Sequence, residues 1–131
     1  MRYADVEAHC MKLPGVTKDF PFGSSAVFKV GGKMFALIST TENGKPRGVW
    51  FKAGQTSATI LTQIEGIEPC PYLARAHWVA MDGLHALKPK ELRAYLSRAH
   101  AMVAQKLSKK KRAELGIADA PPEAAFDNPF L

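Results

Sequence analysis

The chain has 131 residues, 47% of them apolar and 23% charged, which fits one domain around a single core. No run approaches the roughly 18 uninterrupted apolar residues of a spanning helix, and Met1-Arg2-Tyr3-Ala4-Asp5 does not form the basic opening of a secretory signal, so a cytoplasmic protein with no membrane partner is expected. Cys10 and Cys70 form neither a disulfide framework nor a zinc-ligand spacing, and they read as reduced thiols that pack like small hydrophobes.

The 18 Lys and Arg exceed the 12 Asp and Glu, for a net charge of +6. The excess is uneven. Thirteen cations stand against eight carboxylates over residues 1–105, five cations crowd into residues 106–112, and residues 113–131 carry four carboxylates and no cation. A basic body of this kind attracts polyanions, nucleic acid above all; the same charges also make an ordinary solubilising surface. The run Lys109 to Arg112 reads either as a phosphate clamp or as cations complementing the C-terminal dipole of the helix before it.

In chain order, Tyr3, Val6, Cys10 and Leu13 recur at helical spacing before Pro14-Gly15, which predicts one amphipathic helix with a stop. Thr17 to Gly23 reads as a proline-punctuated aromatic link. Ala26 to Val30 and Lys33 to Ile38, joined by Gly31-Gly32, form a hairpin signal, because glycine accepts the positive φ of a two-residue turn. Strict alternation from that turn pairs Val30 with Lys33, Phe28 with Phe35 and Ala26 with Leu37. It puts Phe28, Val30, Phe35 and Leu37 in the core and leaves Val27, Lys29, Met34, Ala36 and Ile38 on a partly covered face.

Thr40 to Gly48 reads as a polar connection to a third strand, Val49 to Lys52, and Gln55 to Ile64 as a short helix ended by Gly66. Pro69-Cys70-Pro71 argues against regular structure, and Ala76 to Met81 predicts a fourth strand. Pro89 to Leu107 carries the longest apolar stripe and predicts the main helix; Ser108 caps a last short one through Leu115. The order gives an α+β domain over residues 1–116, an antiparallel sheet of four or more strands with N-terminal and C-terminal helices packed on it. Residues 117–131 form a loosely held tail with Phe126 and Phe130.

Taken together, Pro14-Gly15 after a first helix, the hairpin from Val27 to Ala36, Phe51-Lys52, Pro71-Tyr72-Leu73, His77-Trp78 and the closing Leu107 with Lys110-Lys111-Arg112 resemble the MmcQ/YjbR family, from about residue 2 to residue 116. The resemblance implies a CyaY-like fold and DNA binding by hairpins used as wings. Where the family commonly shows Ser-Tyr in the last long helix, this chain has Ala99-His100. Iron binding is not implied, because the first helix offers only Asp5 and Glu7.

No nucleophile signature joins Cys10 or Cys70 to His9, His77, His85 or His100, and His77 and His85 lack a metal-ligand spacing. Val30-Gly31-Gly32-Lys33 lacks the spaced glycines of a phosphate loop. The expectation is therefore no catalysis, no cofactor and no metal. The sharper reading is a small DNA-binding protein whose Lys29, Lys33, Lys45, Arg47, Lys52 and Arg75 neutralise phosphates around one surface. With only Asn43, Gln55 and Gln63 nearby, weak sequence preference is expected. The alternative is a protein-interaction or self-association module, binding a partner or forming a homodimer, using Val27, Met34, Ile38, Phe126 and Phe130. A small-molecule pocket between the sheet and Phe20-Pro21-Phe22 is a third candidate.

Overall fold

The computed structural model of the chain describes residues 1–118. Helix α1 (Tyr3–Met11) starts where the Asp5 carboxylate accepts the Arg2 backbone N–H at 2.7 Å, satisfying a donor that the first turn leaves open. Six strands follow among the described residues: β1 (Val16–Asp19), β2 (Ala26–Val30), β3 (Lys33–Thr40), β4 (Pro46–Lys52), β5 (Ile67–Pro69) and β6 (Trp78–Asp82). Helix α2 (Gln55–Leu61) lies between β4 and β5, a 3₁₀ turn at Ala74–Ala76 precedes β6, and α3 (Pro89–Ala104) and α4 (Lys109–Glu114) close the fold. All pairings are antiparallel, in the order β1-β2-β3-β4-β6-β5. The expected α+β architecture is present, and its six strands meet the reading of four or more, two of them not individually predicted.

Both additions are edge strands. The link after Pro14-Gly15 is in part β1, whose Val16 to Asp19 pair with Val30 to Val27; three of its four residues are exposed, so it has almost no buried pattern to betray it. Pro69 was expected to break structure, yet it ends β5, pairing with Val79. An edge strand tolerates proline because one side of its backbone needs no ladder donor.

The hairpin turn is as read: Gly31 and Gly32 have φ of +58° and +81°, and Val30 faces Lys33. Two steps later the register departs from strict alternation. Lys29 faces Met34 but Phe28 faces Ala36, so Phe35 is an extra residue in a β-bulge. The consequence is a swap of faces beyond it. Phe35 and Ala36 both enter the core, Ile38 follows them there, and Leu37 turns to the opposite side beside Trp50. Strict alternation had put Leu37 in the core and Ala36 and Ile38 outside; one inserted residue reverses that assignment.

The core lies between one sheet face and the helices. Phe28, Phe35, Phe51, Val79 and Met81 from the strands meet Val6 and Cys10 of α1, Leu61 of α2, and Leu92, Leu96, Ala99 and Val103 of α3. Polar ties reinforce this layer. His9 and Ser97 are 2.8 Å apart between α1 and α3, and His100, buried edge-on against Phe35 at 5.4 Å, donates from Nε2 to the Pro14 carbonyl at 2.7 Å. His100 thus joins α3 to the turn before β1. The Arg98 guanidinium, also buried, lies over the Tyr95 ring and donates to the Ala53 carbonyl at 3.4 Å.

At the C-terminal end, Ser108 Oγ accepts the Lys111 N–H at 3.0 Å as the expected cap of α4. The cationic run therefore opens α4 instead of ending α3. Arg112 alone reaches back, donating to the Gln105 and Leu107 carbonyls, so the dipole-complementing role belongs to that one residue. Ile117 packs on the core and its N–H reaches the Arg112 carbonyl at 2.8 Å.

Two stability tests follow. A Cβ at Gly48 would overlap the Met81 carbonyl oxygen of the neighbouring strand, so Gly48→Ala should cost at least about 1–3 kcal/mol in urea unfolding. Burial lowers the pKa of both His9 and His100. The folded state then binds fewer protons than the unfolded one as pH falls below about 6.5, so stability present above that pH is lost beneath it. Urea midpoints at pH 5.5 should lie below those at pH 7.5, and His100→Gln should narrow the gap.

Candidate functional site

The sheet face opposite the helices is built by the residues that the bulge and the register turn outward: Val27, Leu37, Trp50 and Ala80 form one cross-strand row. Val27 and Leu37 are buried while Trp50 is half-buried, so this face is covered only in part. Over β3 and β4 it carries a trough of about 460 Å³, floored by Met34, Leu37 and Trp50 and walled by Phe22 on one side and Tyr72 and Leu73 on the other. A second hollow of about 230 Å³ adjoins it, sharing Ser39, Thr40, Trp50 and Pro71, and adds Arg47, Glu68 and Asp82. From Met34 to Thr40 the trough runs along seven residues of β3, six steps and about 20 Å.

The two walls are aromatic and open to solvent. Phe22 is 65% exposed, and Tyr72 is fully exposed from a backbone with φ of +65°, the left-handed region that side chains other than glycine seldom occupy. Holding tyrosine there opposes the ordinary reasons for both its burial and its backbone preference, which is the kind of local conflict that collects at binding sites.

The structure divides the six sequence-predicted cations into two groups. Lys29 on the outer face of β2, Lys52 at the end of β4 and Arg75 in the 3₁₀ turn stand at the Gly31-Gly32 end of the sheet; Lys33, at the hairpin tip, shares the helix-facing side with its partner Val30. Lys29 faces Met34, and Lys52 faces Trp78 and donates to the Ala76 carbonyl at 3.2 Å. Lys45 and Arg47 lie at the other end, in and after the β3–β4 connection, five residues and about 17 Å from Lys52 along β4. Acids temper two of the six: Asp19 holds Lys29 at 3.0 Å, and Asp82 lies 3.8 Å from Arg47. One continuous positive surface is thus replaced by a cationic Gly31-Gly32 end and a far end of mixed charge, where Glu68 and Asp82 line the same hollow as Arg47, with an apolar trough between them.

Sequence reading names the six cations as candidates but neither Tyr72 nor Trp50. Phe22 belongs to the proline-punctuated aromatic link that the sequence sets beside the sheet; nothing local signals that Tyr72 stands opposite it. The surface expected for a partner changes as well. Val27 is fully buried and Ile38 belongs to the core, which leaves Met34 with Leu37 and Trp50. Phe126 and Phe130 lie outside the described residues.

Nucleophilic chemistry finds no support at the thiols. Cys10 and Cys70 are buried, and burial pushes each pKa up to about 12, far from the thiolate range of reactive cysteines. No group of three or more His, Cys, Asp or Glu with metal-holding geometry occurs among the described residues, and no described helix is long and apolar enough to cross a membrane.

A family model described as YjbR matches residues 11–102, from the end of α1 through most of α3. The chain belongs to the YjbR family. Its fold is similar to the crystal structure of the Deinococcus radiodurans protein DR2400, a DUF419 domain, with a TM-score of 0.78 and 28% identity over 91% of each chain. It is also similar to that of a Pseudomonas syringae protein, with a TM-score of 0.64 and 19% identity over 78% of this chain and 98% of the other. No curated protein matches the chain. The match to the family model covers every trough residue, including both aromatic walls.

The strained tyrosine supplies a test. Tyr72→Gly relieves the left-handed backbone while adding glycine's chain entropy, so it should stabilise the fold by up to about 1 kcal/mol in urea unfolding. A destabilised variant would mean that Tyr72 is held there for packing.

Proposed function

We propose that this YjbR-family protein binds single-stranded DNA, without catalysis, along the helix-free sheet face. What supports the reading most is the trough itself: two aromatic side chains held out into solvent on opposite walls, with cations at both ends. Every base has a π-face, so stacking on Phe22, Tyr72 and the half-buried Trp50 gives affinity without sequence readout, at about 1–3 kcal/mol per stacked base. Phosphates beyond the stacked bases then reach Lys29, Lys52 and Arg75 at one end and Lys45 and Arg47 at the other, while Lys33 lies on the helix-facing side of the hairpin tip. A trough of about 20 Å suits a short site, about 4 nucleotides, at the low end for single-sheet modules. Duplex DNA is a poorer fit, because a stiff backbone needs a continuous rail of cations and cannot offer its bases to the trough.

Anisotropy titration of a fluorescent twelve-nucleotide thymidine oligomer tests this. With three or four phosphates neutralised, affinity should fall about 20- to 50-fold between 50 and 200 mM salt, following a slope near −0.7 per phosphate. Phe22→Ala and Tyr72→Ala should each weaken binding about tenfold or more without unfolding the protein. Replacing Lys52 or Arg75 with Gln should lower the salt slope by about one phosphate. Tighter binding of duplex than of single strand, or affinity indifferent to salt and to both aromatic changes, would overturn the proposal. The interaction-module reading rests on the same trough, and there salt should leave affinity unchanged or raise it.

A further inference from the structure

The smaller of the two hollows carries polar chemistry that stacking does not use. Cross-strand register sets two rows on the helix-free face: Leu37, Trp50, Ala80 and Glu68 in one, Ser39, Gly48 and Asp82 in the next. Gly48 adds no side chain and Ala80 only a methyl, so the sheet is dished there, with Trp50 and Pro71 beside the depression. Arg47 reaches the rim from a second irregularity. Ser39 faces Gly48 but Thr40 faces Pro46, which makes Arg47 the extra residue of β4.

Ser39 lines both hollows at 8% exposure, yet its hydroxyl makes no hydrogen bond among the described residues. The neighbouring Thr40 hydroxyl, by contrast, is held by those of Ser24 and Ser25 at 2.8 and 3.1 Å. A hydroxyl so enclosed and unpaired gains from a ligand that pairs it. The Glu68 carboxylate also has no ion-pair or hydrogen-bond partner among the described residues. Arg47 meets Asp82 loosely, Nε to Oδ1 at 3.8 Å with side chains 68% and 75% exposed, so its guanidinium can turn inward.

Two carboxylates against one guanidinium repel a phosphate, and Arg47 opposes a free amine. The group that fits is neutral, with N–H donors for Glu68 and acceptors for Arg47. Of the DNA bases only guanine offers both: N1–H beside the 2-amine, which a carboxylate accepts as a pair, and O6 beside N7, the acceptor pair that arginine favours. Adenine, cytosine and thymine each set an acceptor beside their donor, and a carboxylate repels it. Glu68 on β5 and Arg47 on β4 stand two strand spacings apart, about 10 Å, room for one base with a hydrogen bond at either edge.

We propose that this hollow is a guanine pocket, in which Glu68 accepts from N1–H and the 2-amine, Arg47 donates to O6 and N7, and the Ser39 hydroxyl pairs within the same site. A strand that stacking alone would bind without regard to sequence is then preferred when it carries a guanine. That preference rests on the single-strand reading, whereas the fit of the pocket to guanine does not.

Twelve-nucleotide thymidine oligomers with one central guanine, adenine or hypoxanthine, titrated by anisotropy against the full chain, test this. The guanine oligomer should bind about tenfold more tightly than the adenine one, a comparison in which purine stacking largely cancels. Hypoxanthine lacks the 2-amine and should lose most of that advantage. Glu68→Gln, at an exposed position, should bring the guanine-to-adenine ratio close to one; the general effect of removing a negative charge cancels in the ratio. Equal affinity for guanine and adenine, or a preference that survives Glu68→Gln, overturns the pocket and leaves the stacking reading standing. Deoxyguanosine separates the two ideas. At millimolar concentration it should shift the Trp50 indole and Ser39 amide signals of ¹⁵N-labelled protein, and deoxyadenosine should not. Those shifts with no oligomer bound would sink the strand reading and keep the pocket; silence toward the nucleoside and every oligomer would sink both.

Discussion

The bulge in the β2–β3 hairpin is the constraint on which the two faces of this sheet depend. A strand has a side-chain period of two, so a single unpaired residue inverts the facing of everything beyond it. Phe35 is that residue, and it lets two consecutive side chains, Phe35 and Ala36, enter the helix-facing core. Phe35 then meets the buried imidazole of His100, whose bond to the Pro14 carbonyl ties α3 to the start of β1. On the other side the inversion exposes a different set. Leu37 moves beside Trp50, and together with Met34 they make an apolar floor where an uninterrupted ladder would have placed Ala36 and Ile38.

Among the described residues the helices pack on one face, and the edges of the other are finished by loops. The loop after β1 brings Phe22 to one wall, and the left-handed turn at Tyr72 brings the second. Backbone strain and an exposed aromatic both count against stability, so their coincidence beside the same hollow marks it as a site more strongly than its volume does. The cations add direction. They stand at the ends of the trough, so that in the proposed mode a flexible polyanion threaded along it would meet cations on both sides of an apolar middle.

Neighbouring acids moderate that charge. Asp19 against Lys29 and Asp82 near Arg47 are exposed pairs, each contributing on the order of 0–1 kcal/mol to stability, so they weigh little in folding. Their effect is on the surface potential: the formal excess of +6 over the chain is reduced at the Lys29 end of the trough and is offset by Glu68 and Asp82 at the Arg47 end. Steering by charge alone would be weak on such a face, and apolar and stacking contacts must supply the rest.

Local rules sufficed for much of this protein. Helical spacing and capping residues placed α1, α3 and α4 within a few positions, Gly31-Gly32 fixed the hairpin turn, and joint motifs pointed to the YjbR family, because these features act over a few residues of chain. Edge strands escaped for want of a pattern: β1 is mostly exposed and β5 ends on a proline. The side to which Leu37 and Ile38 point, the meeting of Phe22 with Tyr72 across fifty residues, and the parting of six cations into two groups were settled only in three dimensions. Each depends on how strands pair over long separations, and a β-bulge leaves no mark in composition while reversing every side chain that follows it.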